Sequence, residues 1–181
     1  SKQVRVADQI RAAIAKAKPE GIIHFAAFIE VGESMKLPGK YFANNVGNGI
    51  NLAEAAVKHG VRKIVSSSTA AVYGMPKHIP ITEAEAKQPI NAYGESKLMF
   101  EKILGWFHDL KDLQYTALRY FNAAGATEKY GEDHSPETHL IPLIMQAAEG
   151  KREKISVFGT DYDTPDGTCI RDYIHVLDLA Q

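Results

Sequence analysis

The chain has 181 residues, 45% of them apolar and 24% charged, with a formal net charge of -1. That is enough for one domain with a real core, and it leaves no basic surface for nucleic acid. No apolar run approaches membrane-spanning length and no signal peptide opens the chain, so no membrane partner is expected; the only cysteine, Cys169, excludes an internal disulfide and fits a reducing, cytoplasmic setting.

The chain starts without Met, almost directly in an amphipathic helical pattern (Val6, Ile10, Ala13, Ile14, Ala17). Pro19-Glu20-Gly21 end that helix, and GIIHFAA (21–27) then reads as a buried parallel strand in which His24 is a satisfied core histidine. Residues 28–37 read as a loop, and 38–59 as a helix stopped by Gly60. KIVSSS (63–68) is the next buried strand, with its serines at the carboxyl end. A proline-rich loop leads to a helix that starts near Asn91 and runs to about His108. YTALRYF (115–121) is a third strand, 122–137 a long loop, and 140–149 a helix ended by Gly150, with the charged run at 151–154 as its solvated end. ISVFG (155–159) reads as a short strand, 161–168 as a turn-rich loop and CIRDYIHV (169–176) as extended. The chain stops at Gln181 just as another helix begins, so both ends read as cut.

This alternation predicts an α/β fold, a doubly wound parallel sheet with helices on both faces. In such sheets ligands bind beyond the carboxyl ends of the strands. GIIHF and KIVSS read as paired on both edges, yet no strand is available to flank GIIHF on one side. An exposed apolar edge would pair with a second copy of the chain as a homodimer, with further segments, or aggregate.

The stretch NAYGESKLMFEK (91–102) places Tyr93 and Lys97 four residues apart at the start of a helix, one above the other on one face. An ammonium near a phenol favours the phenolate and moves the tyrosine toward use as an acid/base. Asn91 suits the N-cap, Glu95 and Glu101 suit the helix, and Leu98, Ile103, Leu104 and Phe107 point to a core. The plainer reading is a partly exposed tyrosine above a solvated lysine. Tyr73 and Lys77 share the spacing, but Gly74 and Pro76 between them mark a turn. Thr69 follows the serine run where a strand opens onto the ligand side; it either hydrogen-bonds a substrate hydroxyl or merely satisfies backbone groups. Tyr93, Lys97 and Thr69 together suit oxidation of a sugar alcohol, with the proton leaving through Tyr93 and the hydride going to a nicotinamide. The seven histidines show no metal-ligand spacing, and no metal is expected.

SSSTAAVYG, NAYGESK, RYFNAAGA, HLIP and DYDTPDGTCIRDYIHV, with HFAAFIEVGES and NNVGNGINL, together resemble the UDP-glucose 4-epimerases of the extended short-chain dehydrogenase/reductase superfamily. The resemblance covers essentially the whole chain. It implies NAD as cofactor and a UDP-sugar as substrate. UDP-glucose and UDP-galactose would interconvert through a transient 4-keto sugar. Tyr93 would be the acid/base, Lys97 would hold the cofactor ribose and tune Tyr93, and Thr69 would take the hydroxyl role. Phe25, Ala26, Asn44, Ser67, Tyr93, Lys97 and Tyr120 would line the NAD site. Thr69, Asn122, His139, Leu140, Phe158, Arg171 and Tyr173 would hold the UDP-sugar. A guanidinium fork at Arg171 suits a diphosphate, although an ion pair with Asp172 is the plainer use. Asn122 could otherwise cap a strand end, Phe158 sit in the core and Tyr173 on half-buried sheet surface. The implied organisation is an incomplete Rossmann-like NAD-binding domain over 1–121 and 169–181, with 122–168 the start of a small UDP-sugar-binding region.

Three features depart from that family. No GxGxxG or GxxGxxG turn occurs to cradle a pyrophosphate, and Gly47 and Gly49 lie inside a helical pattern. The C-terminal part of a substrate domain is missing, and Ile29 stands where many members carry lysine. The 181 residues by themselves are therefore expected to bind NAD weakly and to lack turnover. Two other readings remain: a non-catalytic piece of such an enzyme, and a nucleotide-sugar dehydratase. The latter needs an acid/base pair beside Thr69, where Ala70 and Ala71 stand.

Overall fold

Three parallel strands organise the first part of the chain: β1 (Ile22–His24), β2 (Lys63–Thr69) and β3 (Gln114–Tyr120), in the order β1-β2-β3. Ile22 stands opposite Ile64, and Lys63 opposite Gln114, so the carboxyl ends of β2 and β3 finish level at Thr69 and Tyr120. The structure, a computed structural model, describes residues 2–181. The helices of this part are α1 (Lys2–Ala17), α2 (Val31–Lys36), α3 (Pro38–Tyr41), α4 (Gly49–Lys58) and α5 (Ala92–Lys111). The chain falls into two compact units, one ending at Tyr120 and one starting at Phe121. The second holds β4 (Asn122–Ala124), α6 (Leu140–Ala148), β5 (Tyr173–His175) and α7 (Val176–Ala180), with β4 and β5 forming a parallel pair.

The core of the first unit lies between α1, α4, α5 and one face of the sheet. Ile14, Ala53, Ala56, Val61, Ile64, Phe100, Leu104 and Leu113 meet there. β2 shows why: its residues alternate, with Ile64, Ser66 and Ser68 buried and Val65, Ser67 and Thr69 half-buried. A continuous buried run was the expectation for β1 as well, but Ile23 is 65% exposed, because it alternates to the face opposite Ile22, which packs on the core. Small residues Ala53 and Ala56 let α4 approach closely, and Gly49 leaves room for the Phe100 ring, which a Cβ would meet at 2.6 Å. In α1 the inward face is Ala7, Ile10 and Ile14; Ala13 and Ala17 are exposed, so the sequence pattern placed that face a little too far round.

Local chemistry accounts for the other differences. The helix expected over 38–59 is one continuous path, but Phe42–Asn48 is π-helical, a widening that three asparagines and Gly47 accommodate and that recurs at functional sites. The loop expected at 28–37 contains α2, and the loop at 122–137 begins with β4. α5 continues past His108 to Lys111 and ends where Asp112 turns left-handed at φ 54°, its N–H reaching back to His108. The strand expected at 155–159 is absent: no neighbouring strand pairs with it, and Phe158 is 96% exposed. Only 173–175 of the extended 169–176 segment pairs as a strand, and 151–154 is a solvated turn after α6.

Candidate active site

The start of α5 is pinned from several directions. Asn91 caps it by accepting from the Gly94 N–H at 2.8 Å, as its side chain and position predict. Ser34 on α2 accepts the Tyr93 N–H at 3.1 Å, one of the donors that a helix start leaves without an internal partner. Ser96 Oγ donates to the Tyr93 carbonyl at 2.7 Å and accepts from Asn45 Nδ2 at 3.0 Å. The Asn45 amide also closes a pair of bonds with the backbone of Phe28, accepting its N–H at 2.9 Å and donating to its carbonyl at 3.0 Å. One buried amide therefore ties the loop after β1, the π-helical segment and α5 together. Gly94 lies against the turn after β2, where a Cβ would sit 2.7 Å from the Ala71 carbonyl oxygen. That close approach carries Tyr93 to the end of β2.

There the Thr69 hydroxyl lies near the Tyr93 phenol, close enough to favour its ionised form. Thr69 Oγ1 accepts from the Ala71 N–H at 3.1 Å, which leaves its own hydrogen for the phenol oxygen. Burial pushes the Tyr93 phenol above its ordinary value, and the nearby Thr69 hydroxyl offsets only part of that. The expectation that Lys97 would draw the phenol down is corrected by the geometry. Lys97 is 6% exposed, and its Nζ donates to the Ser67 carbonyl on β2 at 2.7 Å. Desolvation lowers Lys97 to about 8. His24, across on β1, falls to about 4, first through burial and then through the Lys97 charge. His24 is half-buried, edge-on to the Phe100 ring at 5.6 Å. The result is a phenol, a hydroxyl and an ammonium gathered at the carboxyl ends of parallel strands.

The other residues expected around a nicotinamide lie in the same unit. Phe25 and Ala26 follow β1 directly and are exposed, Ser67 is the carbonyl partner of Lys97, and Tyr120 closes β3 opposite Thr69. Burial raises Tyr120 as well. Asn44 lies in the π-helical segment, donating to Asn45 at 3.1 Å. The alternative pair separates as expected: Tyr73 is buried in a turn of 3-10 helix and bonds Arg119, while the Lys77 N–H goes to Glu85.

In the second unit, Asn122 and Tyr173 are brought together as cross-strand neighbours of β4 and β5. Asn122 donates both its side-chain and its backbone N–H to the Asp172 carbonyl. Arg171 donates to the Ile170 carbonyl at 2.9 Å rather than to Asp172, and its fork stays exposed. His139 precedes α6 as its N-cap residue, and Leu140 opens that helix half-exposed. Phe158 projects from an irregular segment, not from a core.

Two groupings have no counterpart in the sequence pattern. Glu101, expected only to suit the helix, is 8% exposed, hydrogen-bonded to Ser68 and paired with Arg119 at 2.7 Å. Arg119 in turn donates to the Tyr73 hydroxyl at 2.8 Å, so α5, β2, β3 and the following turn share one polar network. The alternation of β2, which turns Ser68 inward, was the available signal. The second grouping is Glu132, His134, Glu137 and His139, whose ligand-type atoms all lie within 4.8 Å of one another. Spacing among the histidines alone does not mark it.

Among the described residues no helix is long and apolar enough to cross a membrane. Residues 2–181 match the model of the NAD dependent epimerase/dehydratase family. The UDP-glucose 4-epimerase of Streptococcus mutans is 56% identical over 163 residues, 89% of this chain and 49% of that protein. The one from Rhizobium meliloti is 50% identical over 179 residues, 98% of this chain and 55% of that protein. Among solved structures, the UDP-glucose 4-epimerase of Brucella ovis in complex with NAD superposes with a TM-score of 0.92 at 48% identity, covering 97% of this chain and 55% of that one. The enzyme from Bifidobacterium longum in complex with NAD+ and UDP gives a TM-score of 0.91 at 42% identity, covering 97% and 54%. The chain thus spans about half the length of the relatives it matches, with their Rossmann-like arrangement of parallel strands and helices. From the strand-end site to the family match, the chain belongs to the NAD dependent epimerase/dehydratase family.

Proposed function

We propose that this protein acts as a UDP-glucose 4-epimerase, a cytoplasmic isomerase of galactose metabolism that interconverts UDP-glucose and UDP-galactose through a 4-keto sugar. The observation that carries the reading is the Tyr93 phenol near Thr69 at the end of β2, with Lys97 one helical turn on and fixed to the Ser67 carbonyl. Relatives of that name at about half identity support it.

The residues present fit the nicotinamide-ribose end of NAD. The buried Lys97 ammonium, fixed on the Ser67 carbonyl, is a directed donor for ribose hydroxyls, and in this reading Phe25, Ala26, Asn44, Ser67, Tyr93 and Tyr120 line the same cofactor site. Bound NAD supplies the hydride acceptor and donor that oxidation at C4 and its reversal require. The chain's own part is proton handling. Thr69 bonds the C4 hydroxyl and the phenol together, and Tyr93 takes the hydroxyl proton and returns it. Lys97, held on the Ser67 carbonyl, remains an ammonium at neutral pH and serves the cofactor ribose, while burial resists ionisation of the phenol. In this reading 1–121 and 169–181 belong to the NAD-binding domain and 122–168 to a UDP-sugar region, where Asn122, His139, Leu140, Phe158, Arg171 and Tyr173 hold the nucleotide-sugar. The exposed apolar side chains of β1 support association with a second copy.

Tyr93→Phe keeps the ring and removes only the ionisable oxygen. In the full-length protein it should lower turnover of UDP-galactose by about 10²–10⁴-fold while the far-ultraviolet circular dichroism stays unchanged. Turnover within a few-fold of wild type would remove Tyr93 from the acid/base role.

A further inference from the structure

The grouping of Glu132, His134, Glu137 and His139 has a composition and geometry of its own. Both imidazoles turn Nδ1 toward the carboxylates. His139 Nδ1 lies 2.7 Å from Glu132 Oε1 and 2.9 Å from Glu137 Oε1, and His134 Nδ1 lies 4.0 Å from Glu137 Oε1. The two rings are 5.1 Å apart and tilted by 51°, so neither stacks flat on the other. Four ligand-type atoms on four side chains therefore converge within 4.8 Å.

The frame around them is held locally. Thr127 and Tyr130 close a turn just before the segment, with the Thr127 N–H on the Tyr130 carbonyl at 2.8 Å and the Tyr130 N–H on Thr127 Oγ1 at 2.9 Å. α6 begins just after it, and the backbone N–H groups of Thr138 and His139 both reach Glu137 Oε1 at 2.7 Å. Glu137 is thus oriented by backbone donors and is the least exposed carboxylate of the group, while Glu132 and His139 lie open to solvent. An ion could enter from that side.

Protons alone satisfy the group poorly. An imidazole nitrogen carries one hydrogen at most, yet His139 Nδ1 faces two carboxylates, and those carboxylates repel each other. A divalent cation answers all four groups at once. We propose that Glu132, His134, Glu137 and His139 form a four-ligand site for Zn²⁺. Two nitrogen and two oxygen ligands suit a borderline ion such as zinc, whereas magnesium and calcium prefer oxygen throughout. At zinc-to-ligand distances of about 2.0–2.2 Å, the edges of a tetrahedron are about 3.3–3.6 Å. The two contacts of His139 would open by about half an ångström, and the His134–Glu137 separation would close by a similar amount, both within reach of side-chain rotation. The imidazole of His139 would serve the metal, and the backbone at His139 and Leu140 would remain for a nucleotide.

The test uses full-length protein in a Cys169→Ser background, which removes the lone exposed thiol as a rival zinc ligand. The protein is stripped with a chelator and titrated with ZnCl₂ by calorimetry. The site should bind one equivalent saturably, and Co²⁺ in its place should give the intense visible bands of a tetrahedral ion. His134→Asn or Glu137→Gln, each with an unchanged metal-free melting temperature, should weaken zinc binding at least about tenfold, since removal of outer-sphere partners alone costs that much. No saturable zinc binding, a six-coordinate cobalt spectrum, or equal affinity in the parent and both variants would overturn the proposal. None of these readouts depends on epimerase turnover.

Discussion

The two compact units are built on opposite economies of polar groups. Up to Leu113 the chain buries Ser34, Asn45, Ser66, Ser68, Glu85, Ser96, Lys97 and Glu101; Ser34, Asn45, Ser68, Ser96, Lys97 and Glu101 bond segments far along the chain, while Glu85 bonds nearby Lys77 and His78. From Phe121 on, no residue is buried, and side-chain hydrogen bonds mostly link near neighbours, as at Thr127–Tyr130 and Thr164–Thr168. Even α6, with its run of Leu140, Ile141, Ile144 and Met145, leaves apolar side chains exposed. The lesson concerns where geometry is fixed. The residues proposed to move protons sit in a network of long-range bonds that resists displacement, while those proposed for the sugar nucleotide, the β4–β5 pair aside, rest on short-range contacts.

That contrast can be broken most forcefully at Glu101. Glu101→Ala leaves the Arg119 guanidinium partly buried beside the Tyr73 hydroxyl without its carboxylate. The expected loss is about 3 kcal/mol in urea unfolding, the lower end of what a broken buried pair costs, because Arg119 keeps some solvent contact. The counterpart in the second unit is Glu149→Gln, which removes the exposed pair with Lys151 and should leave the unfolding midpoint where it was. Equal effects at the two sites would erase the distinction between the units.

The next effect is on pH dependence. His24 titrates at about 4 in the folded protein, against 6.5 ordinarily. Between those values the unfolded chain binds the extra proton, so stability falls as pH drops below 6.5, and the loss is complete below about 4. Its full size is about 3 kcal/mol at most. Because carboxylates titrate over the same range, the informative quantity is the difference between wild type and His24→Gln. That difference should shift in favour of the variant on acidification, and parallel profiles from pH 7 to 4.5 would show that His24 is not the sensor.

The smallest effect sets two glycines of one helix against each other. Gly94→Ala should cost about 1–3 kcal/mol, since the new methyl meets the Ala71 backbone, which cannot step aside as a side-chain tip would. Gly105→Ala should instead stabilise by about 0.5–1 kcal/mol, because its nearest neighbour is the Tyr115 hydroxyl at an ordinary 3.5 Å. Thermal melts of the two variants should therefore move in opposite directions.

Much of this was legible before any coordinates. The Asn91 cap, the Tyr93–Lys97 spacing, the strand over 63–68, one residue short of its observed end at Thr69, and the rejection of Tyr73–Lys77 all follow from local rules of capping, period and turn chemistry. What escaped depends on partners far along the chain. Nothing near Glu101 announces Arg119, eighteen residues later, as its partner across to β3. The absence of a strand at 155–159 is likewise a missing neighbour, not a missing propensity. The Tyr93 phenol moves up and not down because burial dominates, while Lys97 is turned to the Ser67 carbonyl. The π-helical widening at Phe42–Asn48 is a backbone detail that an apolar period of 3.6 residues cannot register.

The Asn45 amide also changes how the protein should breathe. The backbone N–H of Phe28 lies outside any helix or strand, and that of Tyr93 is at the unbonded first turn of α5, so secondary structure shields neither from water. Both are capped by side chains of one linked cluster: Asn45 for the first, and Ser34 beside the Ser96 contact for the second. Their deuterium uptake would therefore time the loosening of that cluster while the sheet and helices remain intact, giving a clock for local opening at the very residue assigned to move the proton.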